Sequence, residues 1–469
     1  MNPQFADDPA EYFGFDAWEA HQHPRAEVEA LQLAALQGRF SDLKDKITPL
    51  GAMAHVQGID EIRALEDVVP LLFPHNIYKA YSEDLVLEKN FRALTKWLSR
   101  LTTNDLSAVA DIGFETMDDW MDAIDDQTNL EICHSSGTSG RLSFYPRGKQ
   151  EVKQQYTITQ MKFTERNWGR QFTFGDWPFA IVWPAQAFGR TSILRGADLL
   201  RNLVTEDPSD FYPFLPMALS SDHHHYVMRC QKLLSEGVQE APAPSDYVQM
   251  RLAEAEAVYK DVPLLQERIL DTVAMLKYKK RIMLFGTPII IHNFATAGLQ
   301  RGMENMLMED SFINTVGGFK NNPASENLLD DVKRFAGPGT LYKDAYGMTE
   351  LITGFDHCDF ERFHIPPWII PFLIDIDTGE VLPREGVQQG RGAFFDLPVQ
   401  TYWGGTVTAD NIEIDWGDCP CKRKTPTIGP VIERMAESSK ELYIGTSDPK
   451  AIDAAIESLN AGLPHEVIA

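Results

Sequence analysis

The stretch whose residue types point most directly to chemistry is Cys133-His134-Ser135-Ser136-Gly137-Thr138-Ser139-Gly140-Arg141. Serine and threonine hydroxyls donate to phosphate oxygens, and glycines let backbone N–H groups approach an anion with no Cβ in the way. The run reads as a phosphate-holding loop. A P-loop has the spacing G-x-x-x-x-G-K-[ST], whereas here two residues separate Gly137 from Gly140 and the next lysine is Lys149. That class is excluded. Alone, the run also fits an ordinary turn, because Ser and Gly gather in loops for reasons of backbone geometry.

A second segment, Asp344-Ala345-Tyr346-Gly347-Met348-Thr349-Glu350, follows downstream. With the hydroxyl loop before it, the chain resembles the adenylate-forming superfamily of acyl-CoA ligases and related acid-activating enzymes, in which a Ser/Thr/Gly loop precedes Tyr-Gly-x-Thr-Glu. The resemblance runs from Cys133 to Arg423. It implies an α/β fold with a large multi-lobed N-terminal domain and a chemistry in which ATP and a carboxylic acid yield acyl-AMP and pyrophosphate. Ser135, Ser136, Gly137, Thr138, Ser139, Gly140 and Arg141 would then hold the phosphates. Tyr346 would stack on adenine, Asp344 would approach its amine, and Gly347 would be a cofactor-binding residue with them. Thr349 would bond the α-phosphate, and Glu350 would hold Mg²⁺, a hard cation that prefers carboxylate and phosphate oxygens. Related loops often carry a lysine where this chain has Ser143; phenylacetate-CoA ligases lack it too.

Gly317-Gly318-Phe319-Lys320 looks like the corresponding turn of bacterial acyl-protein synthetases, which places Gly318 at the cofactor and Lys320 among the catalytic residues. Thr406-Val407-Thr408-Ala409-Asp410 resembles the segment whose aspartate grips both ribose hydroxyls. Cys419-Pro420-Cys421-Lys422-Arg423 resembles the Cys-Pro-Cys-Gly-Arg run of phenylacetate-CoA ligases, making Arg423 the expected ribose arginine, with Lys422 in place of glycine.

Cys358 and His364 stand upstream of Cys419 and Cys421, so three of the chain's five cysteines gather with one histidine. Three thiolates and one imidazole complete a tetrahedral Zn²⁺ with no open position, which is a structural site. His357 competes for the histidine place. The bland alternative is four unrelated residues.

The elements that must position these groups show in the hydropathy pattern. Val28, Leu31, Ala35 and Leu36 predict one helix, and Leu87, Phe91, Leu94, Leu98 and Leu101 another. Asn129 to Cys133 predicts a strand feeding the loop. Trp177 to Trp183 predicts a strand ended by Pro184, and Arg281 to Thr287 and Phe312 to Gly318 predict two more. Asp246 to Arg281 reads as one or two charged helices, and residues 1–24 as an irregular arm. Val69 to Pro74 reads as a proline-bracketed connector, and Ser221 to His225 as an exposed loop, because adjacent histidines cannot converge on one ion. Phe285, Phe319 and Met348 fit either a hydrophobic acid pocket or core packing.

The division expected is a helical part over 1–128, an adenylate-binding core over 129–430, and a shortened C-terminal segment over 431–469. The last stands where related enzymes carry a mobile lid with a lysine, and a truncated lid favours a partner. No cysteine follows Cys421 to match the acyl-carrying cysteine of acyl-protein synthetases. The acyl acceptor is a thiol or amine: CoA, a small amine or a partner protein. An acyl-protein synthetase serving a carrier or reductase, and a non-catalytic nucleotide or acyl binder, are the alternatives.

At 469 residues with 43% hydrophobic and 24% charged residues, the composition is that of a globular protein. The 43 Lys and Arg against 68 Asp and Glu give a net charge of −25, which disfavours nucleic acid and anionic membranes. An anionic substrate therefore needs a locally positive entrance. No apolar run of signal-peptide length opens the chain, so a cytoplasmic setting is expected.

Overall fold

The computed structural model describes all residues except 1–3, 111, 169–178, 319–326, 436–446 and 465–469. Phe319 and Lys320 lie outside the described residues. Two compact units form: Met1–Met161 with Thr349–Ala469, and Lys162–Met348. The boundaries expected near 128 and 430 both fall inside the first.

The opening arm is helical in short turns. Asp8 and Asp16 accept from the N–H groups of Glu11 and Glu19 and so cap Pro9–Tyr12 and Ala17–Ala20. Helix Arg25–Leu43 buries Val28, Gln32, Leu36, Phe40 and Leu43, a stripe that runs through Gln32 and not through Leu31 and Ala35. Gln32 is satisfied there by the carbonyls of Pro367 and Ile369 at 2.8 and 3.2 Å. Helix Phe91–Leu98 is capped by Asn90; Leu87 falls outside it and is exposed. The proline-bracketed connector resolves into a 3-10 helix over Leu65–Leu71 and a two-residue strand, β1 (Phe73–Pro74). Strands β2 (Leu130–His134) and β3 (Phe144–Gly148) form an antiparallel hairpin, so the hydroxyl run is its loop.

In the second unit, β4 (Phe179–Phe188) continues past Pro184. Its register against β5 (Phe211–Ala218) shifts between Trp183 and Gln186, and at such an irregularity proline's missing N–H removes no ladder bond. With β6 (Arg281–Gly286), β7 (Phe312–Val316) and β8 (Leu341–Tyr346), these strands form a parallel sheet in the order β8-β7-β6-β4-β5. Helices Val262–Leu276, Pro288–Gln300 and Leu328–Ala336 supply much of its apolar cover. A Cβ on Gly298 would sit 2.4 Å from the Phe335 ring, so these helices approach closely only with glycine there. Asp246–Lys260 and Val262–Leu276 are two helices, parted at Asp261. The exposed loop expected at Ser221–His225 is instead the start of helix Ser221–Ser235, with His225 buried. Ser220 caps it and Asp222 favours its N-terminus, a signal the histidine run obscured.

The chain returns to the first unit through β9 (Phe355–His357), β10 (Phe363–His364), β11 (Ile369–Ile374), β12 (Val387–Asp396), β13 (Gly405–Asp415) and β14 (Thr427–Arg434). They pair antiparallel in the order β11-β12-β13-β14-β10-β9, while β1 lies parallel to β13. Helix Pro449–Asn460 packs on helix Thr48–Gln57. It is anchored by Asn460 Nδ2, which donates to the Ala80 carbonyl at 2.7 Å. The architecture is mixed α/β, as the sequence predicts. Among the described residues no helix is long and apolar enough to cross a membrane.

Candidate active site

Between β2 and β3 the loop turns twice through the left-handed region, at Gly137 (φ 66°) and Gly140 (φ 82°), where a Cβ would be strained. Gly140 N–H donates to the Gly137 carbonyl at 2.8 Å. Ser135 Oγ accepts from Ser143 N–H at 3.0 Å, so this hydroxyl braces the loop neck, while Ser136 and Thr138 are exposed. The 3-10 turn Ile77–Lys79 supports the loop from outside. Lys79 Nζ donates to Ser139 Oγ at 2.8 Å and Tyr81 Oη to the Leu142 carbonyl at 2.9 Å. Nothing in the local sequence around Lys79 marks it for this position.

The first unit resumes at Thr349-Glu350, where the backbone is clamped by buried charge. Arg147 Nη2 donates to the carbonyls of Thr349 and Leu351 at 2.8 and 3.1 Å, and Asp396 Oδ2 accepts from Ile352 N–H at 2.8 Å. Burial pushes the Asp396 pKa up to about 7 against the lowering effect of that N–H and of Arg147. Glu350 is half-buried, and burial raises its pKa against its own N–H and Arg434. A site that disfavours a lone carboxylate charge in this way suits a bound cation.

Asp410 Oδ1 accepts from Arg434 Nη1 at 2.9 Å. Arg423 is turned elsewhere: Nη1 lies 3.6 Å from Cys421 Sγ and the guanidinium stands over the Trp18 ring at 5.1 Å. The arginine at Asp410 is thus Arg434, at the end of β14, which sequence reasoning missed; alternation along two paired strands was the signal available.

Cys358, His364, Cys419 and Cys421 bring their ligand atoms within 4.8 Å of one another. Cys358 Sγ and Cys419 Sγ are 3.8 Å apart, about the separation of two sulfurs each about 2.3 Å from a tetrahedral zinc. His364 Nε2 lies 3.1 Å from Cys421 Sγ, and its Nδ1 lies 3.3 Å from Thr425 Oγ1, which also bonds His21 at 2.7 Å. A partner on the other ring nitrogen orients the imidazole, as outer-shell partners orient a metal-ligating histidine. His357 instead packs on Phe363.

Two turns present the sulfurs, and they share one hydrogen-bond pattern. Cys358 N–H donates to Arg362 O and Glu361 N–H to Cys358 O; Cys419 N–H donates to Arg423 O and Lys422 N–H to Cys419 O. Each turn needs a left-handed residue before its arginine, Glu361 at φ 57° and Lys422 at φ 74°, which explains why glycine suits the position Lys422 occupies. Burial works against a Cys421 thiolate, but the backbone and guanidinium of Arg423 outweigh it and lower the pKa. The cluster could hold zinc.

In the second unit, β7 runs into Gly317 and Gly318, both left-handed (φ 85° and 57°). On the neighbouring β8, Asp344 Oδ1 accepts from Thr315 Oγ1 at 2.7 Å and from Ala345 N–H at 3.0 Å, with burial raising its pKa. Gly318, Asp344, Tyr346 and Gly347 therefore gather at the carboxyl ends of adjacent parallel strands, where open α/β sheets bind ligands. Phe285 is buried and stacked on Trp183 at 5.0 Å, a packing role, and Met348 is half-buried.

No family model and no curated protein matches the sequence. Solved structures do. An open conformation of 2-hydroxyisobutyryl-CoA ligase in complex with 2-HIB-AMP and CoA aligns with TM-score 0.52 at 13% identity, over 89% of this chain and 77% of that one. The same ligase in the postadenylation state with R3-HIB-AMP aligns with TM-score 0.52 at 12% identity, over 89% and 70%. The chain has the fold of the adenylate-forming enzymes. At this identity the likeness is one of fold, and the roles of individual residues rest on the geometry above.

Proposed function

We propose that the protein activates a hydrophobic carboxylic acid as acyl-AMP, releasing pyrophosphate, and then passes the acyl group to a thiol or amine. The observation that carries this reading is the Asp410–Arg434 pair in the electrostatic field of Glu350. It offers a carboxylate acceptor for a ribose diol beside a carboxylate suited to a cation on phosphate. The acyl-adenylate bound to the ligase of the same fold supports it.

In this reading Ser136, Thr138 and Ser139 hold the phosphates, Ser135 and the two loop glycines keep the loop in shape, and Arg141 adds charge. Thr349 bonds the α-phosphate, and Arg147 keeps the Thr349-Glu350 backbone in place for it. Tyr346, Asp344, Gly347 and Gly318 serve adenine, Asp410 takes the ribose hydroxyls with Arg434, and Glu350 holds Mg²⁺. When bound, magnesium would neutralise phosphate charge. Arg423, expected at the ribose, serves the zinc turn. Catalysis is then mainly positioning and charge stabilisation around an in-line displacement at the α-phosphorus.

Acid-dependent ATP–pyrophosphate exchange tests this, with a panel of aliphatic and aromatic acids and no acceptor. Exchange with one acid class, abolished in Glu350→Ala while AMP still binds, is the expected result. Silence across the panel from zinc-loaded protein overturns it.

A further inference from the structure

We propose that Asn460 is a positioning residue for the hydroxyl loop: it ties helix Pro449–Asn460 to residues 79–81, and through them the helix sets the shape in which the loop meets ATP. This rests on the acid-activating reading and adds to it a residue outside the candidate site.

The helix is fixed along its length and at its end. Asp448 caps its start by accepting from Lys450 N–H at 2.9 Å, with Pro449 in the first turn. Ala451, Ala455 and Leu459 recur at every fourth position and are fully buried. The two alanines on this stripe let it lie close to helix Thr48–Gln57, which buries Leu50, Met53 and Ala54. At the other end Arg100 donates from Nη1 to the Leu459 carbonyl and from Nη2 to the Ala461 carbonyl, both at 2.7 Å. Carbonyls at this end of a helix otherwise lack an internal partner. Asn460 is 2% exposed, and its Nδ2 donates to the Ile456 carbonyl at 2.9 Å as well as to Ala80.

Three consecutive residues carry the connection onward. Lys79 and Tyr81 turn their side chains to the loop, at Ser139 Oγ (2.8 Å) and the Leu142 carbonyl (2.9 Å), and Arg141 Nη1 returns to the Tyr81 carbonyl at 3.4 Å. Between them Ala80 offers its carbonyl to Asn460 at 2.7 Å. The Tyr81 ring is held by Trp97 and Phe144, with centroids 5.1 and 5.6 Å away. Loop residues 139, 141 and 142 therefore rest on two residues, and the residue between those two rests on the helix. Every member of this series belongs to the first unit.

The loop needs a hold from outside. Gly137 and Gly140 supply its left-handed turns, and the same glycines leave many backbone shapes open to it. Binding a polyphosphate costs the entropy of choosing one shape, and braces made beforehand reduce that cost. Loss of the Asn460 donor frees Ala80 and with it the footing of both neighbouring braces. Such a coupling is reciprocal, so ATP on the loop also favours the docked end of the helix. AMP carries no β or γ phosphate and makes no such demand on the loop.

The test uses the full chain, with amide hydrogen exchange over residues 136–143 and calorimetric binding of MgATP and of AMP. Asn460→Leu keeps a similar buried volume and removes the donor. It is expected to speed exchange in the loop and to weaken MgATP about 3- to 10-fold, the range one hydrogen bond allows, with AMP affinity unchanged. Asn460→Ala gives the same comparison should leucine fit poorly. Ser447→Ala removes a 2.6 Å bond to the Pro70 carbonyl just before the helix and should change neither readout. In the wild type, MgATP should slow exchange at residues 456–460. The proposal is overturned if loop exchange in Asn460→Leu equals that of the wild type or rises evenly across the first unit. It is overturned equally if the variant binds MgATP as tightly as the wild type, or if MgATP and AMP weaken alike. Faster loop exchange in the variant of a chain that binds no MgATP would sink the acid-activating reading and leave the tie between helix and loop standing.

Discussion

Arg434 Nη1 donates to Asp410 Oδ1 at 2.9 Å, and the two residues are register partners across β13 and β14. The pair presents a fixed carboxylate and a guanidinium on two neighbouring strands of the sheet. Arg434→Ala is expected to raise the KM for ATP roughly 10-fold, in line with loss of a charged hydrogen bond. Arg423→Ala should leave that KM nearly unchanged. Initial-rate kinetics of the two variants decide the matter, and the opposite ranking would return the ribose role to Arg423.

Zinc should copurify with the protein at about one ion per chain, the stoichiometry of one closed four-ligand site. Elemental analysis checks this. Cys419→Ser should lose the metal and melt at least ~10 °C lower, since a structural site contributes several kcal/mol. Arg423→Ala should release zinc faster to a chelator, because the guanidinium favours the Cys421 thiolate. Full stability in metal-free protein would rule out a structural ion.

Removing Arg147 would leave the Thr349 and Leu351 carbonyls without their charged donor. Each buried carbonyl so exposed costs about 1–3 kcal/mol. Arg147→Met is expected to reduce kcat for acid-dependent exchange at least ~10-fold while AMP still binds, because the backbone of Thr349-Glu350 loses its hold. Unaltered kcat would mean that Asp396 and the rest of the chain suffice.

Asp396 predicts a pH dependence with a definite sign. Its pKa rises from 3.8 to about 7, driven by burial, so the folded chain holds this proton more tightly than the unfolded chain. Its contribution to stability is full below the unfolded value and is lost as pH rises through the folded one. Asp396→Asn keeps an oxygen for Ile352 N–H and should flatten the melting temperature profile between about pH 4 and pH 7. A mutant profile parallel to the wild type would assign the slope to other groups.

Much of the candidate site could be read from the chain alone. Cys133 to Arg141 and Tyr346 to Glu350 are contiguous, and their chemistry depends on residue types a few positions apart. The clustering of Cys358, His364, Cys419 and Cys421 was legible because thiols are few and three of the five fall in this part of the chain. Leu31 and Ala35 were misjudged because a buried Gln32, satisfied by two carbonyls from β11 and its approach, took the core face of its helix. The start of helix Ser221–Ser235 was missed because a run of histidines drew the reading away from the Ser220 cap.

By itself the sequence determined which functional groups are available and that the fold is α/β, since hydropathy period and local motif act over a few residues. Only the tertiary structure decided which partner each group meets. Lys79 reaches Ser139 across 60 positions and Arg434 meets Asp410 across 24, while Arg423 turns to Cys421 and Trp18. Strand pairing and register set the meeting of Asp410 with Arg434, where a one-residue slip in either strand would turn the side chains to the opposite face, and the packing of a turn against a loop sets that of Lys79 with Ser139.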